Sequence, residues 1–244
     1  MKILLVEDDN MHADFLKEIV EHALPEFDEI LVAHNGKEAE TLAHRHQISA
    51  IVMDLRMKEH NGIEAARTIW AERPDTRILF WSNYSDEAYL RGITRIVPDQ
   101  AAYGYVLKTA TQDKMRLALR AVLIEAQIVV DREVHQIQAQ QMRSRSALTE
   151  FEYLILLDLA LGLPDKAIAL RRKLSLRTVQ NRLLSLYDKL DVEEQDQNEK
   201  GIVLNKRTRA VSSAIARKII NREGLITANK ELGAWLAGSP VSQD

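Results

Sequence analysis

The chain has 244 residues, 46% of them apolar and 28% charged, a composition that can bury a core in one large domain or two modest ones and that excludes disorder along the whole length. The net charge of −3 argues neither for nor against a nucleic-acid partner, but it is unevenly spread, with −5 over residues 1–124 and +4 over residues 143–244. With no cysteine, disulfides, thiolate metal sites and a thiol nucleophile are excluded. The apolar run at the start is too short for a signal peptide, and no later stretch approaches the ~18 apolar residues of a membrane span. A cytoplasmic protein with no membrane partner is expected.

Residues 1–124 alternate short apolar runs with amphipathic segments. The runs at 2–6, 30–33, 48–53, 78–81 and 103–107 are rich in Ile, Val and Leu and nearly continuous, as strands buried on both faces of a parallel sheet are. Helical spacing fills the intervals, with Asn35 and Asn61 placed as N-caps. Five strands alternating with helices predict a doubly wound α/β domain with a five-stranded parallel sheet. Residues 110–126 read as its last helix, and the polar, Gln-rich stretch 125–147 as a linker with some helical character. Residues 148–192 hold three helical stretches separated by Gly162-Leu163-Pro164 and Leu174-Ser175. An acidic insertion at about 193–205 follows, then helical patterns at about 206–221 and 226–237.

In an open α/β sheet, ligands bind beyond the carboxyl ends of the strands. Here the first strand is followed by Glu7 and Asp8 and the third by Asp54. Like charges brought to one pocket are costly unless a cation lies among them, and an all-oxygen set suits Mg²⁺. The fourth and fifth strands end in Ser82 and Lys108, a hydroxyl and an ammonium complementary to a phosphoryl group. Together these residues describe an acceptor carboxylate that takes a phosphoryl group with the help of Mg²⁺.

The segments LLVEDD, IVMDLRM, WS and GYVLK, in that order, make residues 1–124 similar to the receiver domain of two-component response regulators, of flavodoxin-like fold. The resemblance implies that Asp54 is the residue phosphorylated by a histidine kinase and that Glu7, Asp8 and Asp54 bind Mg²⁺ with the Arg56 carbonyl. It also implies that Ser82 and Lys108 contact the phosphoryl oxygens and that Tyr105 is an aromatic switch that rotates inward. Two departures stand out. Lys58 and Thr109 occupy positions where the family usually has proline. The interval from Ser82 to Lys108 is some four residues longer than usual, with the excess around 95–100, on the face through which the family transmits its signal.

Residues 166–190 carry seven basic side chains against one acid, Asp188. Val179, Leu183, Leu186 and Leu190 recur at helical spacing as a core face, and Arg177, Gln180, Asn181, Leu184 and Ser185 lie opposite. A short helix from Pro164, a turn at 173–175 and this second helix predict a helix-turn-helix, whose second helix enters the DNA major groove. Leu148-Thr149, Glu152, Gly162, Ile168-Ala169, Thr178-Val179 and Lys189-Leu190 make residues 148–226 similar to the LuxR-type DNA-binding domain of NarL/FixJ regulators, followed by a C-terminal extension over 227–244. The expected contacts to double-stranded DNA are Lys173, Arg177, Thr178, Gln180, Asn181, Arg182 and Leu184. The resemblance places the base-contacting positions on Gln180, Asn181 and Leu184, and a homodimer on paired half-sites is expected.

Two functional readings stay open at this point: a DNA-binding regulator switched by phosphorylation of Asp54, and one whose receiver is a phosphorylation-independent protein-interaction module. A free-standing enzyme on the same sheet is disfavoured, because no second nucleophile, P-loop or Gly-x-Gly fingerprint is present.

Overall fold

A computed structural model describes every residue except Glu59, Ser85 and residues 137–146, 193–203 and 239–244. Most of the acidic insertion, the end of the linker and the end of the C-terminal extension therefore lie outside the described residues. Two compact units are present, residues 1–137 apart from 86–88 making the first and residues 138–244 the body of the second.

The first unit is a parallel sheet with helices alternating along the chain: β1 (Lys2–Val6), α1 (Asn10–Ala23), β2 (Glu29–Ala33), α2 (Gly36–His46), β3 (Ala50–Met53), α3 (Gly62–Glu72), β4 (Arg77–Ser82), α4 (Glu87–Thr94), β5 (Tyr103–Leu107) and α5 (Gln112–Leu123). Asn35 and Asn61 cap α2 and α3, each side chain accepting a backbone N–H three residues on at 2.9 Å. Side chains alternate across the sheet. One face packs Leu4, Val6, Met53 and Phe80 into a core with α2–α4, and the other packs Leu5, Val52, Leu79 and Val106 against α1 and α5.

The strand count differs from the expectation of five. Val129 and Val130, inside the stretch read as linker, form a sixth strand, β6, parallel to β5 with Gly104 opposite Val129 and Tyr105 opposite Val130. The sheet order is β2-β1-β3-β4-β5-β6. Ile128, Val129 and Val130 are three β-branched residues within a polar run, too short a stretch to declare a strand by periodicity; the open edge of β5 supplies the partner. Beyond β6, Asp131 N–H donates to the Tyr105 carbonyl at 2.8 Å, and Val134 is buried in the same core as Tyr105. The lengthened α4–β5 connection does not loop free either, since Ile96 and Val97 pack on that core.

The second unit is wholly helical: α6 (Glu150–Ala160), α7 (Asp165–Arg171), α8 (Leu176–Lys189), α9 (Lys206–Ala216) and α10 (Arg222–Leu236). Thr149 and Glu152 form a reciprocal capping box at the start of α6. Gly162, with a φ of +84°, ends that helix in the left-handed conformation that favours glycine. The predicted core face of α8 is buried, Val179, Leu183 and Leu186 packing with Ile155, Leu156 and Ile168. Helix α10 runs through the boundary at 226/227, because Leu225, Ala228 and Leu232 continue one packed face.

Glu152 is 1% exposed and ties the unit together, accepting from Lys189 Nζ and Ser185 Oγ, each at 2.7 Å. Burial acts to raise its pKa, but bonds from Lys189, the Thr149 backbone, Ser185 and the Thr149 hydroxyl outweigh it and hold the carboxyl at about 2, below the ordinary 4.5. A depressed pKa contributes stability that is fully present above the unfolded value and is lost as pH falls through the folded one. Between about pH 5 and pH 2 the unfolding free energy of the second unit should fall by about 3 kcal/mol more in the wild type than in Glu152→Gln, as read by urea denaturation at each pH.

Candidate functional site

The carboxyl ends of β1 and β3, neighbours in the sheet, define the crevice of the first unit. The sheet holds their ends in register, Asp54 N–H donating to the Val6 carbonyl at 2.9 Å. Glu7, Asp8 and Asp54 accordingly present carboxylate oxygens that all lie within 4.8 Å of one another. Asp8 is exposed, while Glu7 and Asp54 are 1% and 6% exposed. Lys108, directly after β5, reaches across so that its Nζ lies 2.7 Å from Glu7 Oε2 and 3.0 Å from Asp54 Oδ2. Burial raises the Glu7 pKa above the usual carboxylate range and the nearby Asp54 charge adds to that, against the pull of the Lys108 hydrogen bond. One ammonium faces three carboxylates. The all-oxygen donor set and this excess of negative charge fit a hard divalent cation.

The remaining predicted residues surround this cluster. Ser82 is buried at the end of β4, its carbonyl accepting the Lys108 N–H at 2.9 Å and its hydroxyl receiving the Tyr84 N–H at 3.4 Å. Arg56 donates its N–H to Asp54 Oδ1 at 3.2 Å, and its guanidinium stands over the Tyr84 ring, 5.2 Å from the centroid, and bonds the Tyr84 hydroxyl. Tyr105 stands inward and buried, its hydroxyl donating to the Tyr84 carbonyl.

Three neighbours escaped the sequence reading. Tyr84 bridges Arg56 and Tyr105, a link with no sequence signal because 28 and 21 positions separate the partners. Trp81 lies on the sheet face opposite Ser82, and its ring is 4.8 Å from Lys108 Nζ. His12 stands 3.5 Å from Glu7 Oε1 and 3.4 Å from Lys108 Nζ. Its place follows from Asp9, the N-cap of α1, which sets the residue three positions on in the first turn beside the strand end.

In the second unit, Lys173, Arg177, Gln180, Asn181, Arg182 and Leu184 are exposed, Leu184 at 59%. Thr178 is only partly so, and its hydroxyl is 2.7 Å from Ser175 Oγ within the cap of α8. The seven basic side chains of residues 166–190 are divided between two roles. Arg171 and Arg172 both bond the fully buried Asp158 of α6, at 2.6–2.8 Å, and Lys189 bonds Glu152. These three cations are spent inside the unit, since a buried carboxylate requires partners, and Lys173, Arg177 and Arg182 form the outward set with Lys166.

Residues 3–120 match the response regulator receiver domain family. The chain is 34% identical over 228 residues to the transcriptional regulatory protein YdfI of Bacillus subtilis (strain 168), covering 90% of this chain and 97% of that one. It is 23% identical over 218 residues to the transcriptional regulatory protein DegU of Brevibacillus brevis, covering 81% and 90%. Among solved structures, one of two RcsB dimers bound to two parallel DNAs matches with a TM-score of 0.57 over 95% of this chain and 98% of that one, at 16% identity, a likeness of fold. A parallel α/β unit with an acidic crevice, followed by a helical unit, is the organisation of a two-component response regulator. The chain belongs to the response-regulator family, of the NarL/FixJ type. Among the described residues no helix is long and apolar enough to cross a membrane.

The crevice depends on close packing behind Asp54. A Cβ on Gly62 would lie 2.0 Å from the Asp54 carbonyl oxygen, so the loop after β3 can sit against α3 only with glycine there. Gly62→Ala should displace the Asp54 loop and lower the stability of the first unit by about 1–3 kcal/mol, read as an earlier urea midpoint with an unchanged slope.

Proposed function

We propose that this protein is a transcriptional regulator in which Asp54 accepts a phosphoryl group from a histidine kinase and thereby controls binding of double-stranded DNA by the second unit. The observation that supports it is the convergence of Glu7, Asp8, Asp54 and Lys108, from three strand ends, on one crevice. In this reading the receiver spans residues 1–124, extended by β6, and the DNA-binding domain begins at residue 148 and runs past 226 to the end of α10 at Leu236.

Asp54 is the nucleophile. An Asp54 oxygen forms the new O–P bond as the bond from phosphorus to the donor breaks and the leaving group departs with the electron pair. Glu7, Asp8, Asp54 and the Arg56 carbonyl would hold Mg²⁺, which when bound neutralises charge on the phosphoryl oxygens. Lys108 leaves Glu7 and Asp54 for the phosphoryl oxygens, and the Ser82 hydroxyl donates to them. Tyr105 senses that movement through Tyr84, whose N–H already bonds Ser82 and whose carbonyl already holds the Tyr105 hydroxyl.

Output runs from Tyr105 into residues 129–134. The β6 strand hydrogen-bonds the Tyr105 strand and Val134 shares its core, so a repacked Tyr105 shifts the segment that leads to the second unit. There, Gln180 and Asn181 suit adenine edges and Leu184 the thymine methyl, while Lys173, Arg177 and Arg182, with the Thr178 hydroxyl, suit phosphate or guanine. The regulator acts in the cytoplasm as a two-fold homodimer on paired half-sites.

Incubated with acetyl phosphate and Mg²⁺, the wild type should take up one phosphoryl group and Asp54→Ala none, as read on a phosphate-affinity gel; equal uptake would sink the switch. Arg182→Ala should weaken DNA binding across all sequences and reduce its salt dependence, whereas Gln180→Ala should change the preferred sequence, both read by binding to randomised duplexes. Val134→Asp should leave phosphorylation of Asp54 intact and abolish its effect on DNA affinity.

A further inference from the structure

Lys108 is held from a direction that the phosphoryl chemistry does not require. Its side chain is 5% exposed, and besides the two carboxylates its ammonium lies over the face of the Trp81 indole, 4.8 Å from the ring centroid. Strand register explains the encounter. Trp81 pairs with Val106 on β5, and Lys108 lies two residues beyond Val106, so alternation brings the Lys108 stem to the face of the sheet that carries Trp81. The ring is itself fixed. Phe15 of α1 stacks on it at 6.0 Å and 18°, and the His12 imidazole stands edge-on to it at 5.6 Å and 79°.

We propose that Trp81 is a positioning residue for phosphorylation, its ring face holding the Lys108 ammonium at the crevice while the ion exchanges its carboxylate partners for phosphoryl oxygens. Before transfer, Glu7 and Asp54 anchor the ammonium. During transfer Asp54 spends its charge on the new O–P bond, and a lysine held only by carboxylates would lose an anchor at that moment. The π face of an indole attracts a cation whatever the state of Asp54, so Lys108 stays at the crevice while its anionic partners change. Phe15 and His12 prevent the ring from turning away.

The inference rests on the proposed function, and one experiment separates the two. The pseudo-first-order rate of phosphorylation is measured with acetyl phosphate and Mg²⁺ in the full chain carrying Trp81→Met, which keeps an apolar side chain and loses the π face, and in Trp81→Phe, which retains one. Trp81→Met should react about tenfold more slowly, the size of a partly desolvated cation–π contact, and Trp81→Phe should recover most of the rate. In a Lys108→Ala background, Trp81→Met should have no further effect, an outcome that a merely structural role for the ring would not produce. Incorporating fluorinated tryptophans into a Trp70→Phe, Trp235→Phe chain weakens the π face without changing its shape, and should slow the reaction step by step with the number of fluorines even where Trp81→Met does not fold. A wild-type rate in Trp81→Met, equal losses in the Met and Phe variants, or a rate indifferent to fluorination overturns the proposal. Failure of the wild type itself to become phosphorylated on Asp54 would instead overturn the proposed function.

Discussion

Two buried carboxylates, Glu7 and Asp54, sharing one buried ammonium are the constraint on which the first unit is organised. Uncompensated charge of this kind is unfavourable in a protein interior, so it is kept only where the backbone leaves it no alternative. The parallel sheet provides that condition. Its central strands end side by side at one crevice, and hydrogen bonds from Asp54 N–H to Val6 and from Lys108 N–H to Ser82 fix where each side chain begins. The pocket is thereby poised for a ligand that rebalances it, and its chemistry follows from the imbalance.

The region around β5 joins the pocket to the edge of the sheet. Ser82, Tyr84 and Tyr105 form a short chain of backbone and side-chain hydrogen bonds from the end of β4 to the middle of β5. In many open sheets the last strand presents an unpaired edge, which proteins cover or blunt. Here the chain returns after α5 and covers it with β6, so the segment that continues toward the second unit is bonded to the strand that carries Tyr105. The lengthened α4–β5 connection adds Ile96 and Val97 to the same core. The longer interval and β6 therefore both pack beside the strand that carries Tyr105.

Charge balance also shapes the second unit, in the opposite sense. Asp158 and Glu152 are buried on α6 and draw Arg171, Arg172 and Lys189 inward. What the solvent meets on α8 is sparser than the composition suggests: Arg177, Asn181 and Leu184 along the outward stripe, with Gln180 and Arg182 beside it. In the proposed DNA-binding role, an amide and an apolar side chain at the centre with cations around them suit base edges more than bulk attraction to phosphate.

The sequence by itself determined the alternation of buried strands and amphipathic helices, the N-caps Asn35 and Asn61, the core face of α8 and the strand-end carboxylates, because each is written in local periodicity or in residues next to a strand end. It could not show which cations are spent internally, since Asp158 lies 13 and 14 positions from the arginines it binds. Nor could it show β6, whose two residues become a strand only against the edge of β5. Trp81 stood in the sequence only as part of the WS segment and His12 carried no signal, until strand register set one beneath Lys108 and helix α1 set the other beside Glu7. Periodicity decides which way a side chain faces; only tertiary structure decides what it faces, because the partners that balance a buried charge come from elements distant in the chain.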